Sequence, residues 1–225
     1  MYNVQLWKYP IHRKGFWWCF CLLLISLPLA SAELNKKDFT TEAAVLETSA
    51  GKIKIAFFEK EAPLHTANFK KLIKEKFYEK VKFHRVIPDF VIQAGDPNTK
   101  GDDRSQYGTG NYGPEIEPEI GKIHFRGAVG AARTADDVNP GRKSSGSQFY
   151  ICLKPQPQLD DQYTIFGRVV EGLETAKKIA AYKRNDKDLP DKPPVIKKTY
   201  LESYFDQEKY DYYRRKEAEK GTSGK

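Results

Sequence analysis

Phe83-His84-Arg85-Val86-Ile87-Pro88-Asp89-Phe90-Val91-Ile92-Gln93-Ala94-Gly95-Asp96 sets one arginine and one glutamine into strand-forming runs that are mostly apolar. Side chains alternate across a strand, so strand geometry predicts Phe83, Arg85 and Ile87 on one face. Beyond a turn at Pro88 it predicts Val91 and Gln93 together on one face. An arginine and a glutamine partly buried among aromatics cost free energy unless something pairs with them. Two readings stay open here: a structural ion pair at Arg85, or a polar edge kept for a ligand. Ser147-Gln148-Phe149-Tyr150-Ile151 repeats the theme, with Gln148 and Tyr150 on one face and Phe149 and Ile151 on the other.

Outward from these stretches the pattern is mainly β. Residues 44–48 and 52–57 flank Ser49-Ala50-Gly51 as a hairpin, and the second arm alternates apolar with polar. A helix is predicted over 63–76, opened by Pro63, with Phe69, Leu72, Ile73 and Phe77 at helical spacing. Strand-like runs follow at 81–86, 90–94, 125–132, 147–153, 164–170 and 195–204, a Gly/Pro/Asp-rich loop fills 95–122, and a second helix fits 173–182. Six to eight strands, two helices and no regular βαβ alternation predict a closed or strongly bent antiparallel sheet capped by helices.

The ends differ from the middle. Lys8, Arg13 and Lys14 precede an uncharged run from Phe16 to Ala30 that closes on Ala30-Ser31-Ala32, the layout of a cleavable export signal over residues 1–32. The alternative is an uncleaved N-terminal anchor, for which Phe16-Trp17-Trp18 speaks. Residues 33–42 read as a polar linker, 43–205 as the folded domain and 206–225 as a charged, frayed tail. Cleavage would take three of the 38 Lys and Arg and none of the 30 Asp and Glu, leaving 35 against 30, a formal +5. That mild excess is spread over helix and tail, which argues against a nucleic-acid face. Cys152 would be the single remaining cysteine, so no intramolecular disulfide is expected even in an oxidising periplasm or cell exterior.

Several familiar chemistries find no support. Gly108-Thr109-Gly110-Asn111-Tyr112-Gly113 matches a phosphate-loop pattern, but no strand leads into it and Pro114 stands where the helix would start. His65, His84 and His124 share no metal-ligand spacing with one another or with Cys152, so no metal is expected. The serines of Ser144-Ser145-Gly146-Ser147 sit in no nucleophile elbow.

The order F-H-R-x-I-P-x-F-x-x-Q-x-G-D, G-T-G, S-S-G-S-Q-F-Y-I, L-D and F-G-R-V resembles the cyclophilin family over residues 43–205. The resemblance implies a closed eight-stranded β-barrel with a helix at each end and a groove on its outer face. It implies peptidyl-prolyl cis/trans isomerisation without cofactor, acting on proline-containing polypeptides as a monomer. Carried onto this sequence, Arg85, Phe90 and Gln93 take catalytic places. Val91, Tyr150, Leu159 and Tyr163 wall the proline pocket, Gln148 is a groove amide, and Ala132 with Arg133 pairs with the peptide backbone. Four positions depart from the family's usual residues: Val91 for Met, Tyr150 for Phe, Tyr163 for His and Gln158 for Trp. The last makes weak cyclosporin binding the expectation. The segment 135–144 is longer than in compact members, which implies one remodelled rim.

Overall fold

The computed structural model describes residues 34–222. The export signal expected over 1–32 lies outside them. Eight strands form one antiparallel sheet in the order β3-β4-β6-β5-β7-β2-β1-β8. They are β1 (Thr40–Thr48), β2 (Gly51–Phe57), β3 (Arg85–Val86), β4 (Val91–Ala94), β5 (Ala128–Ala131), β6 (Phe149–Cys152), β7 (Ile165–Glu171) and β8 (Ile196–Phe205). Helices α1 (Pro63–Lys74), α2 (Leu173–Ala180) and α3 (Gln207–Thr222) accompany it.

The alternation read in β6 divides the interior. Phe149 and Ile151 join the main core with Phe69, Leu72 and Ile73 of α1, Ile179 of α2 and Ile53 and Ile55 of β2. Tyr150 and Cys152 point the opposite way, into a second cluster with Val91, Ala128 and Ile165. Burying a side chain such as Phe149 or Ile151 contributes about 1.5–3 kcal/mol, so the two-residue period holds β6 in register. Ala62 precedes α1 without a side-chain cap. Glu119 replaces it from the long loop, accepting the N–H groups of Leu64 at 2.9 Å and His65 at 3.0 Å, which satisfies donors that a helix start leaves open.

Three expectations are corrected. The sheet is not a closed barrel, because its edges β3 and β8 are not paired as strands, and the chain beside them makes only the isolated bridge between Lys82 and Val195 and a few irregular bonds. Backbone bonds from Lys80 to Ile196, Phe83 to Pro194 and Ile196 to Val81, each 2.8 Å, tie the seam. Pro193 and Pro194 offer no N–H before β8, so the ladder cannot run on. The stretch expected as a linker carries a 3-10 turn at Lys36–Phe39 and the start of β1 at Thr40. The tail expected to fray is helical. Asp206 accepts the N–H of Lys209 at 3.1 Å and pairs with Arg168 at 3.0 Å, while Tyr210 and Tyr213 pack on Phe39.

Candidate active site

The register lines up one rung across four strands: Arg85 opposite Gln93, Gln93 opposite Tyr150, and Tyr150 opposite Gly130. Residues directly opposite in neighbouring strands share a face, so Arg85, Gln93 and Tyr150 emerge side by side. Gly130 has to lack a side chain, since a Cβ there would fall 2.3 Å from Cζ of Tyr150. The sharp turn between β3 and β4 uses Asp89 at φ 60°, a left-handed conformation that Asp tolerates better than most residues. That turn swings Phe90 over the end of the rung, where its ring centroid lies 5.8 Å from the Arg85 guanidinium carbon.

Around the rung is a pocket of about 190 Å³ lined by Arg85, Phe90, Val91, Gln93, Ala132, Arg133, Tyr150, Leu159 and Tyr163. Its far wall comes from the loop that follows β6, where Pro157–Leu159 makes a 3-10 turn. Arg133 closes one side, with its guanidinium carbon 4.5 Å from the Tyr163 ring centroid and Nη1 2.5 Å from Asp136. Tyr150 and Cys152 stay protonated because burial raises both, the thiol to about 12.

Charge at the site is simple. Arg85 is paired with Asp188 at 3.9 Å, and among the described residues no side-chain hydrogen bond ties its terminal amino groups. Gln93 Nε2 donates to Gln148 Oε1 at 2.9 Å, and Gln148 Nε2 donates to the carbonyls of Gly110 at 2.6 Å and Gly108 at 3.1 Å. Those glycines line an adjoining hollow of about 450 Å³. Another of about 650 Å³ lies beyond Arg85, between His84, Arg104 and Lys187. Among the described residues no cluster of His, Cys, Asp and Glu could hold a metal, and no helix is long and apolar enough to cross a membrane.

A family model described as cyclophilin type peptidyl-prolyl cis-trans isomerase/CLD matches residues 43–201. This chain is a member of that family. It is 44% identical over 152 residues to peptidyl-prolyl cis-trans isomerase ppi1 of Schizosaccharomyces pombe, covering 67% of this chain and 93% of the yeast one. With mouse peptidyl-prolyl cis-trans isomerase-like 1 the identity is 38% over 156 residues, covering 69% and 89%. A cyclophilin type isomerase of Cryptosporidium parvum, solved in the presence of the dipeptide Ala-Pro, superposes with a TM-score of 0.64 at 27% identity. The match covers 72% of this chain and 99% of that one.

For this cyclophilin, nine of the ten expected site residues line the one pocket, and Gln148 stands one hydrogen bond away behind Gln93. Val91 and Gln93 share a face, as do Gln148 and Tyr150. Phe83 and Arg85 do not: Phe83 is fully buried in the main core while Arg85 lines the groove. The run 81–86 is a strand only at its last two residues, so the two-residue period fails before it. Gln158 is exposed, with its amide donating to Gln156 Oε1 at 2.7 Å. The long segment 135–144 folds onto the far loop, with Arg142 bonded to Asp136 at 2.8 Å and to the carbonyl of Asp161 at 3.2 Å. Asp188, His124 and Asp160 carry polar contacts of the site that sequence reading missed. Asp160 stands in the quoted L-D motif and His124 among the histidines read for metal spacing, but neither position signals the bond between them.

Proposed function

We propose that this isomerase turns X-Pro bonds of exported polypeptides during their folding, with Arg85 as the donor to the prolyl nitrogen. Resonance sets a rotation barrier of about 18–20 kcal/mol, whereas the two X-Pro isomers differ by only about 0.5–1 kcal/mol. Half-way through rotation the nitrogen loses conjugation and its lone pair becomes localised, so a donor there stabilises the transition state more than either ground state. The observation that carries the reading is the guanidinium of Arg85, with no side-chain hydrogen bond at its terminal amino groups among the described residues, on the rim of a pocket walled by Phe90, Val91, Leu159 and two tyrosines. Phe90, Val91, Tyr150, Leu159 and Tyr163 hold the proline ring. Gln93, fixed by Gln148, and the backbone at Ala132 and Arg133 retain the chain around it. No nucleophile, general base, metal or cofactor enters such a rotation.

Arg85→Ala tests the role. It is expected to lower kcat/KM at least tenfold, about 1.4 kcal/mol of transition-state stabilisation, with little recovery in Arg85→Lys, whose ammonium lacks the planar fork. A folded Arg85→Ala protein with unchanged turnover would make the arginine structural. Exported clients and a periplasmic or extracellular location rest on the basic, apolar and Ala-x-Ala order of residues 8–32. N-terminal sequencing of protein recovered from the producing cell is expected to begin at Glu33, and retention of Met1 would refute cleavage. The same reading holds that the protein works as a monomer on proline-containing polypeptides, without nucleic acid, and binds cyclosporin weakly because of Gln158.

A further inference from the structure

Below the pocket lies a chain of polar groups, buried at His124 and Tyr150 and half-buried at Asp160, that the reaction itself does not require. Oδ1 of Asp160 is 2.8 Å from Nδ1 of His124, and Nε2 of His124 is 2.8 Å from the hydroxyl of Tyr150. The same Asp160 oxygen accepts the backbone N–H of His124 at 2.6 Å, and the carbonyl of His124 accepts the N–H of Gln156 at 2.8 Å. We propose that His124 is a positioning residue of the isomerase, holding three walls of the proline pocket at once: Tyr150 through its hydroxyl, and Leu159 and Tyr163 through the loop pinned at Gln156 and Asp160.

The hydrogen positions follow from the chemistry of the partners. An ionised carboxylate only accepts, so Nδ1 carries the hydrogen that faces Asp160. Burial lowers the pKa of His124, against the pull of Asp160, and favours the neutral ring. Nε2 of that ring keeps its lone pair and takes the O–H of Tyr150. The hydroxyl is thereby aimed at His124, over Gly130, and the pocket meets the ring of Tyr150. The His124 and Tyr150 rings lie 5° from parallel at 6.0 Å, and Tyr163 stands edge-on to both, at 6.3 and 6.1 Å. Gln156 reaches further, donating from Nε2 to the carbonyl of Asp89 at 3.1 Å, which ties in the turn that carries Phe90. A phenylalanine at 150 would pack as well but could not be steered by a hydrogen bond.

The inference rests on the proline-pocket reading, and its test is separable from the Arg85 test. Turnover of an Ala-Ala-Pro-Phe peptide is measured for Tyr150→Phe, His124→Asn and the pair, all in the full chain. Asparagine keeps a donor for Asp160 near the Nδ1 position and lacks the Nε2 acceptor. Each single change is expected to raise KM about fivefold, the size of one ordinary hydrogen bond, with kcat held within about twofold because Arg85 is untouched. The pair is expected to raise KM no further than either change alone, since both remove the same bond. In nitrogen NMR the Nε2 signal of His124 is expected to be that of a hydrogen-bonded acceptor, and to shift in Tyr150→Phe. Additive rises in KM, or folded variants with unchanged KM, would overturn the proposal. An inert Arg85→Ala change would refute the donor role and leave these readouts intact.

Discussion

The carboxylate of Asp188 stands 3.9 Å from Nε of Arg85, and among the described residues no side-chain hydrogen bond ties the terminal amino groups of that guanidinium. Asp188 is held there in left-handed backbone, φ 61°, with Asn185 Oδ1 accepting the N–H groups of Lys187 and Leu189 around it. Its own carbonyl accepts the N–H of Val86 at 2.9 Å, which locks the loop to β3. Both partners are about a third exposed or more, so the pair adds little stability, about 0–1 kcal/mol, and the other oxygen of Asp188 accepts from Nε of Arg184 at 3.2 Å. Asp188→Asn is expected to lower kcat/KM about two- to threefold in the native background and to change nothing further in Arg85→Ala. A loss that persists without Arg85 would mean that Asp188 acts elsewhere.

Gln148 couples the groove to the Gly108–Gly110 loop. Gln148→Met removes the acceptor that fixes Gln93 and both bonds to the loop carbonyls, while keeping most of the buried volume. The expected loss in kcat/KM is about five- to tenfold, one to two hydrogen bonds. Amide exchange should quicken at Gly108, whose N–H is held by the neighbouring Asp96 carboxylate. Unchanged exchange with reduced turnover would confine the role of Gln148 to the substrate.

Cyclosporin sensitivity turns on position 158. Covering the exposed amide of Gln158 with an apolar ligand costs desolvation, and a tryptophan there would supply an apolar face and an indole donor. The difference is about 1–3 kcal/mol, roughly ten- to a hundredfold in affinity. Gln158→Trp is expected to restore much of the inhibition and to alter turnover little. Tight inhibition of the unmodified protein would show that other walls compensate.

His84 gives the fold an acid-side weakness. Burial pushes its pKa down from 6.5 to about 4, with Asp96 opposing that shift and Arg85 adding to it. The unfolded chain therefore binds the proton first as pH falls. The contribution is whole above about pH 6.5, declines between there and about 4, and amounts to about 3 kcal/mol at most. Urea unfolding at pH 7 and pH 4.5 is expected to show a smaller acid loss in His84→Leu than in the unmodified protein. Equal losses would assign the acid limb to other groups.

Local residue pattern carried the alternation in β4 and β6, because both strands have one face in the main core and the period of two is strict there. Arg85, Gln93 and Gln148 stood out for the same reason, as polar groups on the face that leaves the core. The run before Arg85 misled, because the chain there bonds across the seam to residues 194–196 and not along one regular ladder. Asp188 lies 103 residues from Arg85 and Asp160 lies 36 from His124, and contacts of that span leave no periodic trace. The helix α3 was hidden by its charge: its tyrosines at 210 and 213 meet Phe39, a partner from the other end of the described chain.

The rung of Arg85, Gln93 and Tyr150 also sets what evolution and engineering can vary independently. Three strands fix the reacting geometry, and none of the three side chains can be moved without slipping a ladder and turning a whole strand inside out. The two long segments bordering the groove, 95–122 and 133–147, are tied down at a few interior points, Glu119 at the start of α1, Gly108 and Gly110 on Gln148, and Arg142 on Asp161. Lengthening or exchanging the stretches between those anchors, with Arg133 and the Gly108–Gly110 carbonyls kept, can change which peptide fits beside the proline while the rotation chemistry stays as it is. The domain behaves as a constant catalytic bench with replaceable fittings, and libraries aimed at new client preference belong in those two segments.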